Sequence, residues 1–478
     1  MRNLILGLAW LLMLIPQLGQ ALPLTDRMAT RKGDLDAMLS ARQLRVLVVY
    51  DNANFFLHQG RQEGLNVSLM KQFERWLNER YFHDQKLLKM NVVLVPVRHD
   101  KLLPMLNAGQ GDLVLANLSP TQMRRTQADF SIPEIAGVQE WLVSGNQVPA
   151  ISRLTELSGK HIWVRRSSSY FESLQMLNDM LATLKMPPVY IEPADEVLQD
   201  SDLLDMVSRG EIPYTVVDSH KARLWQKVFN DLRFHDAVPL RRDSQIAWAF
   251  RKNSPQLERE VNAFLREYGA DTRKGAPIYR NYLLNGSALL ARHRGSGSSM
   301  MGWSSKEFQR YAPLFKRYGE QYSIDWMMLL AQAYQESTMN QSARSPRGAM
   351  WIMQVLPSTA RALKVSGIGS LENNVHAGTK YMRHMMDTYF DDEALDEDNR
   401  VLFTLAAYNA GPNRIAQLRK EAIRRGLDGN VWFGNVERVA ALRVGSETVQ
   451  YVKNVSSRYV AYRRTYELSE QKKRLRPH

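Results

Sequence analysis

One acid on an apolar helix face is where chemistry could begin in this sequence. Residues 323–359 read SIDWMMLLAQAYQESTMNQSARSPRGAMWIMQVLPST. Trp326, Leu329, Leu330 and Ala333 recur at helical spacing. Ser323 can cap that helix, and Asp325 falls in its first turn, where a negative charge suits the helix dipole. Glu336 follows Leu329 by seven residues, two turns along the same face. Desolvation there disfavours the carboxylate and pushes the acid toward its protonated form. A general acid working at neutral pH needs that state. The same residues read equally as a helix that ends with Glu336 in water.

Other chemistries find less support. The chain has no cysteine, so disulfides, thiolate metal sites, a cysteine nucleophile and a lipid-accepting cysteine are excluded. Its ten histidines show no HExxH spacing, and there is no GxSxG elbow. Gly109-Gln110-Gly111 lacks the third glycine of a dinucleotide loop. The acidic run 391–398 lacks the glycine and closing glutamate of an EF-hand, so it reads as a solvated loop. The expectation is an enzyme with neither metal nor cofactor.

The elements around the acid follow from length and pattern. At 478 residues the chain is too long for one core. The formal charge of +14 implies an anionic partner, but no basic run interleaved with aromatics points to nucleic acid. Residues 1–21 pair Arg2 with an apolar core and a small-residue end, as a secretory signal does; an uncleaved anchor is the alternative. Residues 22–43 read as a polar lead-in. From there strands at 44–50, 90–97, 112–116, 161–164 and 214–218 alternate with helices such as 66–81 and 101–108. That order predicts an α/β fold with a mostly parallel sheet. Gly286-Ser287 and Gly295-Ser296-Gly297-Ser298-Ser299 mark a linker over 269–303. Residues 304–478 read as helical throughout, with helices at 308–318, 325–337, 358–365, 375–390, 400–409 and 446–462. Gly411-Pro412 stops one helix and starts another.

Specific residues then carry a resemblance. Glu336-Ser337 precedes Ser345-Pro346-Arg347-Gly348, Ile352-Met353-Gln354, Pro357 and Thr359. Farther on come Ala406-Ala407-Tyr408-Asn409-Ala410-Gly411, Glu447-Thr448, Tyr451-Val452 and Val455. In order and spacing this last third resembles the catalytic domain of the soluble-lytic-transglycosylase-like enzymes, which cleave peptidoglycan on an all-α, goose-type lysozyme fold. The resemblance implies that Glu336 acts first as acid, then as base, without a second carboxylate. It implies that Ser337 orients Glu336 or a nearby backbone group. It implies that Met353, Gln354, Tyr408, Asn409 and Tyr451 line the glycan cleft. Trp351 stands where the family has glycine, a residue free to take positive φ. That departure keeps open a non-catalytic wall-binding or ligand-sensing protein.

The first half carries a second resemblance. Residues 103–116 lead into Thr121, Arg124 and Asp129-Phe130-Ser131, followed by Leu157-Ser158-Gly159-Lys160 and Tyr214-Thr215-Val216-Val217-Asp218. Over 44–268 this order resembles the extracellular solute-binding proteins of family 3, with a periplasmic-binding-protein type 2 fold. It implies that Arg124 grips a ligand carboxylate and that Asp218 meets its ammonium, the ligand being an amino acid or a muropeptide. Both halves together resemble membrane-bound lytic murein transglycosylases. That implies export to the periplasm, peripheral attachment to the outer membrane of a Gram-negative bacterium, and peptidoglycan strands as partner.

Overall fold

The structure, a computed structural model, describes residues 30–284 and 305–475. The expected signal segment and most of the expected linker lie outside the described residues. The strands are β1 (Gln43–Val48), β2 (Phe56–His58), β3 (Arg61–Glu63), β4 (Asn91–Pro96), β5 (Leu113–Leu118), β6 (Asp129–Phe130), β7 (Ile135–Gly145), β8 (His161–Arg165), β9 (Tyr190–Ala194), β10 (Tyr214–Asp218), β11 (Leu232–His235) and β12 (Arg241–Phe250). β4-β1-β5 and β9-β8-β10 are parallel trios; β1, β4, β5 and β10 are near-continuous buried runs, whereas β8 alternates and β9 is buried only at its last residue. β7 and β12 run antiparallel to these trios and to each other. The expected mostly parallel sheet is therefore two parallel lobes joined by antiparallel strands. The 10-residue β12 links the two, pairing with β5 of the first trio and with the 11-residue β7, which pairs in turn with β10 of the second.

The expected lead-in also differs. It contains the helix Leu35–Ala41, whose Leu35 and Met38 are buried in the first lobe. Asp34 caps it, accepting from Leu35 N at 2.7 Å, and the same carboxylate accepts from Gln256 N and Leu257 N. That second cap, from residues more than 200 positions away, is invisible to a local pattern.

The second half is helical: Ser305–Tyr322, Trp326–Ser337, Pro357–Ala362, Leu371–Tyr389, Glu397–Ala410, Pro412–Arg424, Glu437–Val444 and Ser446–Arg474. Gly411, at φ 93°, joins Glu397–Ala410 to Pro412–Arg424. The run 391–398 is held by cations: Asp391 pairs with Arg400, Asp392 with Arg419, and Asp396 caps the next helix. The terminal helix Ser446–Arg474 has 29 residues, 12 beyond the expected end at 462, and it packs on the first half both within the expected span and beyond it. Val460 joins the apolar cluster of Leu47 and Val95 in the first lobe. Tyr462 donates to Gly60 O at 2.7 Å, and Lys472 pairs with Asp202 of the second lobe at 2.6 Å. One helix therefore touches both lobes and, at its start, carries Tyr451.

Candidate active site

The glutamate helix Trp326–Ser337 is capped by Asp325, which accepts from Met327 N at 2.9 Å. Ser323, the expected cap, lies outside the helix at φ 53°; the shorter reach of Asp325 to the first amides decides the start. Thr338 and Met339 then turn the chain away through left-handed φ of 52° and 65°. Glu336 stands in the last turn, where the negative end of the helix dipole disfavours a carboxylate. Burial pushes its pKa up to about 7, against a smaller downward pull from Tyr451, whose hydroxyl donates to Glu336 Oε1 at 2.5 Å. The acid thus keeps its proton to a higher pH than an exposed glutamate does.

A tight turn holds the helix end. Ser337 Oγ donates to Ile352 O at 2.9 Å. Trp351 N donates to Ala343 O at 2.7 Å, and Gln354 Nε2 donates to Trp351 O at 2.7 Å and to Ala343 O at 3.2 Å. Trp351 itself takes φ 64° and Gln354 φ 49°. The tryptophan adopts the conformation expected of glycine at its position, at a cost of about 1–2 kcal/mol. Its ring lies over Gly369, where a Cβ would meet it at 3.6 Å.

Glu336, Asn409 and Tyr451 line one cleft of about 600 Å³. Asn409 Oδ1 accepts from Thr448 Oγ1 at 2.7 Å, which leaves its amide hydrogens for a ligand. Tyr408 is turned inward and donates to Met353 O at 2.7 Å. Met353, expected on the cleft wall, is fully buried, because Gly378 on the facing helix admits its side chain. Gln354, expected beside it, turns its amide back onto its own loop. Both support the site from behind. Sequence reasoning missed Glu447, an exposed acid lining the same cleft, and Lys86, Leu87 and Lys89, which reach it from the first half. Glu447 stood inside a quoted motif; nothing local marked the other three.

The second expected site lies between the lobes of the first half. Arg124 is buried, and its guanidinium donates to Ser119 O at 2.9 Å and Ser167 O at 2.6 Å. Asp218 Oδ2 accepts from Asn117 Nδ2 at 2.8 Å, while Oδ1 has no partner, and burial pushes the acid to about 6. Arg165, from the basic run 165–166, pairs with Asp200 at 2.7 Å. Lys221 pairs with the other oxygen of Asp200, also at 2.7 Å. The cavity beside these groups holds about 30 Å³, room for roughly one water.

Comparisons with known proteins bear on both halves. Residues 44–285 match the family model for bacterial extracellular solute-binding proteins, family 3, and residues 313–428 that for the transglycosylase SLT domain. Curated relatives named membrane-bound lytic murein transglycosylase F include one from Desulfosudis oleivorans, 27% identical over 87% of this chain and 88% of its own. Another, from Pseudomonas fluorescens, is 28% identical over 82% of this chain and 76% of its own. Among solved structures, a Salmonella typhimurium periplasmic binding protein described by its high arginine specificity aligns with 51% of this chain and 99% of its own. It is 18% identical, at a TM-score of 0.41.

Proposed function

The chain belongs to the bacterial extracellular solute-binding proteins, family 3, through its first half, and from that premise and the SLT domain behind it we propose a peptidoglycan lytic transglycosylase. The observation that carries this reading is Glu336: one carboxyl with a pKa of about 7, opening on a cleft large enough for a glycan. Oε1 accepts from Tyr451, so the transferable proton sits on Oε2. It passes to the glycosidic oxygen between N-acetylmuramic acid and N-acetylglucosamine. The substrate's acetamido oxygen stabilises the developing positive charge at C1, and Tyr451 stabilises the carboxylate left behind. Glu336 then takes the proton of the muramyl 6-hydroxyl as that oxygen attacks C1. The product is a 1,6-anhydromuramyl end, and no water is consumed. Asn409 donates to sugar acceptors, and Tyr408 fixes the turn behind the acid.

The setting follows the same reading: an exported enzyme of wall turnover, in the periplasm and peripherally attached to the outer membrane. Among the described residues no helix is long and apolar enough to cross a membrane. An amino acid or muropeptide would enter between the lobes and replace Ser119 O and Ser167 O as the partners of Arg124.

Glu447 in the same cleft supports a second reading, a hydrolase with two carboxylates. Digestion of sacculi and mass analysis of the soluble products separates the two. Products lighter by one water than those of a hydrolase support the transglycosylase; reducing ends reject it.

A further inference from the structure

One wall of the Glu336 cleft comes from the solute-binding half. Lys86, Leu87 and Lys89 belong to the loop between the helix Leu65–Tyr81 and β4, and they line the cleft with Glu336 and Tyr451. The loop is fastened there. Lys453, two residues past Tyr451, is buried and donates to Lys89 O at 2.8 Å. Asn78 brackets Met90, donating to its carbonyl at 3.1 Å and accepting from its amide at 2.8 Å. Asn91 Nδ2 donates to Ser457 Oγ of the terminal helix at 3.2 Å. Lys86 and Lys89 are exposed on this wall. Among the described residues neither ammonium has an ion-pair partner.

A neutral sugar chain makes no use of two free ammonium groups on the wall of its cleft. Muramyl residues carry a lactyl arm that ends either in a carboxylate or in a peptide bearing carboxylates. We propose that Lys86 and Lys89 receive these carboxylates, so that the solute-binding half recognises the charged arm of the strand while the helical half holds the sugars. A point charge on a flexible stem suits an anion whose position varies from one muramyl unit to the next. The proposal rests on the reading of this cleft as a glycan site.

The test measures binding to Glu336→Gln protein, so that turnover does not interfere. Three soluble ligands are compared: peptide-bearing strands, strands stripped by an amidase to the free lactyl carboxylate, and neutral chitin hexasaccharide. The variant Lys86→Gln/Lys89→Gln, checked for an unchanged melting curve, is expected to weaken anionic binding by about three- to tenfold at low salt. Charge reversal to Glu weakens it further, and added salt narrows the difference. Chitin binding stays the same. Weakening of peptide-bearing strands alone assigns the lysines to the peptide; weakening of both anionic ligands assigns them to the arm common to the two. No change, or an equal change for all three ligands, overturns the proposal. If the wild type yields no anhydro product from sacculi, the catalytic reading fails, and the binding comparison still decides the role of the lysines.

Discussion

Glu336 and Glu134 are both carried to a pKa of about 7 by burial, in two regions built quite differently. Glu134 stands just before β7 and is 6% exposed. Both its oxygens are taken: Tyr279 donates to Oε1 at 2.9 Å, and Trp248 Nε1 to Oε2 at 3.0 Å. Glu336 has one donor, Tyr451, and opens on a cleft. A raised pKa is therefore common to a structural acid and a candidate catalytic one. What separates them is a free oxygen that a substrate can reach.

The largest expected effects would break this comparison if they came out the same for both acids. Glu336→Gln keeps the shape and removes the transferable proton. Activity on sacculi should fall by at least about 10²–10⁴-fold, the usual worth of general acid–base help. Glu134→Gln should leave turnover per folded molecule unchanged. Equal losses would mean that Glu134 acts on the cleft through the fold; undiminished cleavage by Glu336→Gln would place the acid elsewhere. Truncation should reverse the ranking in stability. Glu134→Ala strands a buried phenol and a buried indole N–H, at about 1–3 kcal/mol each. Glu336→Ala strands only Tyr451, whose hydroxyl water in the cleft can satisfy, so its cost should be below about 1 kcal/mol. Urea titrations of the two variants measure this ranking.

How much of this could be read from residues alone depended on how local the cause was. β10 coincides with its predicted strand because Thr215, Val216 and Val217 form a continuous buried run. Glu336 was legible because the apolar spacing that buries it lies within two turns. The side chains of Met353 and Gln354 point away from the cleft for reasons the motif does not contain: the space over Gly378, and carbonyls of the 343–351 loop. Lys86 and Lys89 reach the site only through contacts with a helix more than 350 residues later.

A smaller effect sharpens the contrast in pH. Free Glu336 would titrate near 4.5 and the folded group near 7, so the native state binds more protons between those values. Stability of the wild type should fall as pH rises through that window and then level off. Glu336→Gln carries no such penalty. Its stability in urea titrations should match the wild type below about pH 4.5 and exceed it above pH 7, by on the order of 3 kcal/mol. A constant gap at every pH would mean that Glu336 is not held in its acid form.

The smallest effect concerns the turns behind the two acids. After Glu134 the chain passes through left-handed φ at Gly137, 65°, where glycine carries no penalty. Behind Glu336 the same region is occupied by Trp351 at 64°. Trp351→Ala and Trp351→Gly both remove the ring from Gly369, but only alanine keeps a Cβ in the left-handed turn. The glycine variant should therefore be the more stable of the two, by about 1 kcal/mol. Both should cleave sacculi, because Trp351 is not among the residues that line the cleft. Equal stability of the two variants would mean that the turn relaxes once the ring is gone, so that the ring, not the backbone, sets its shape. Loss of cleavage in the glycine variant with the fold intact would mean that the ring helps to place Glu336 through Ile352 and Ser337. The turn would then belong to the catalytic frame, as nothing behind Glu134 does.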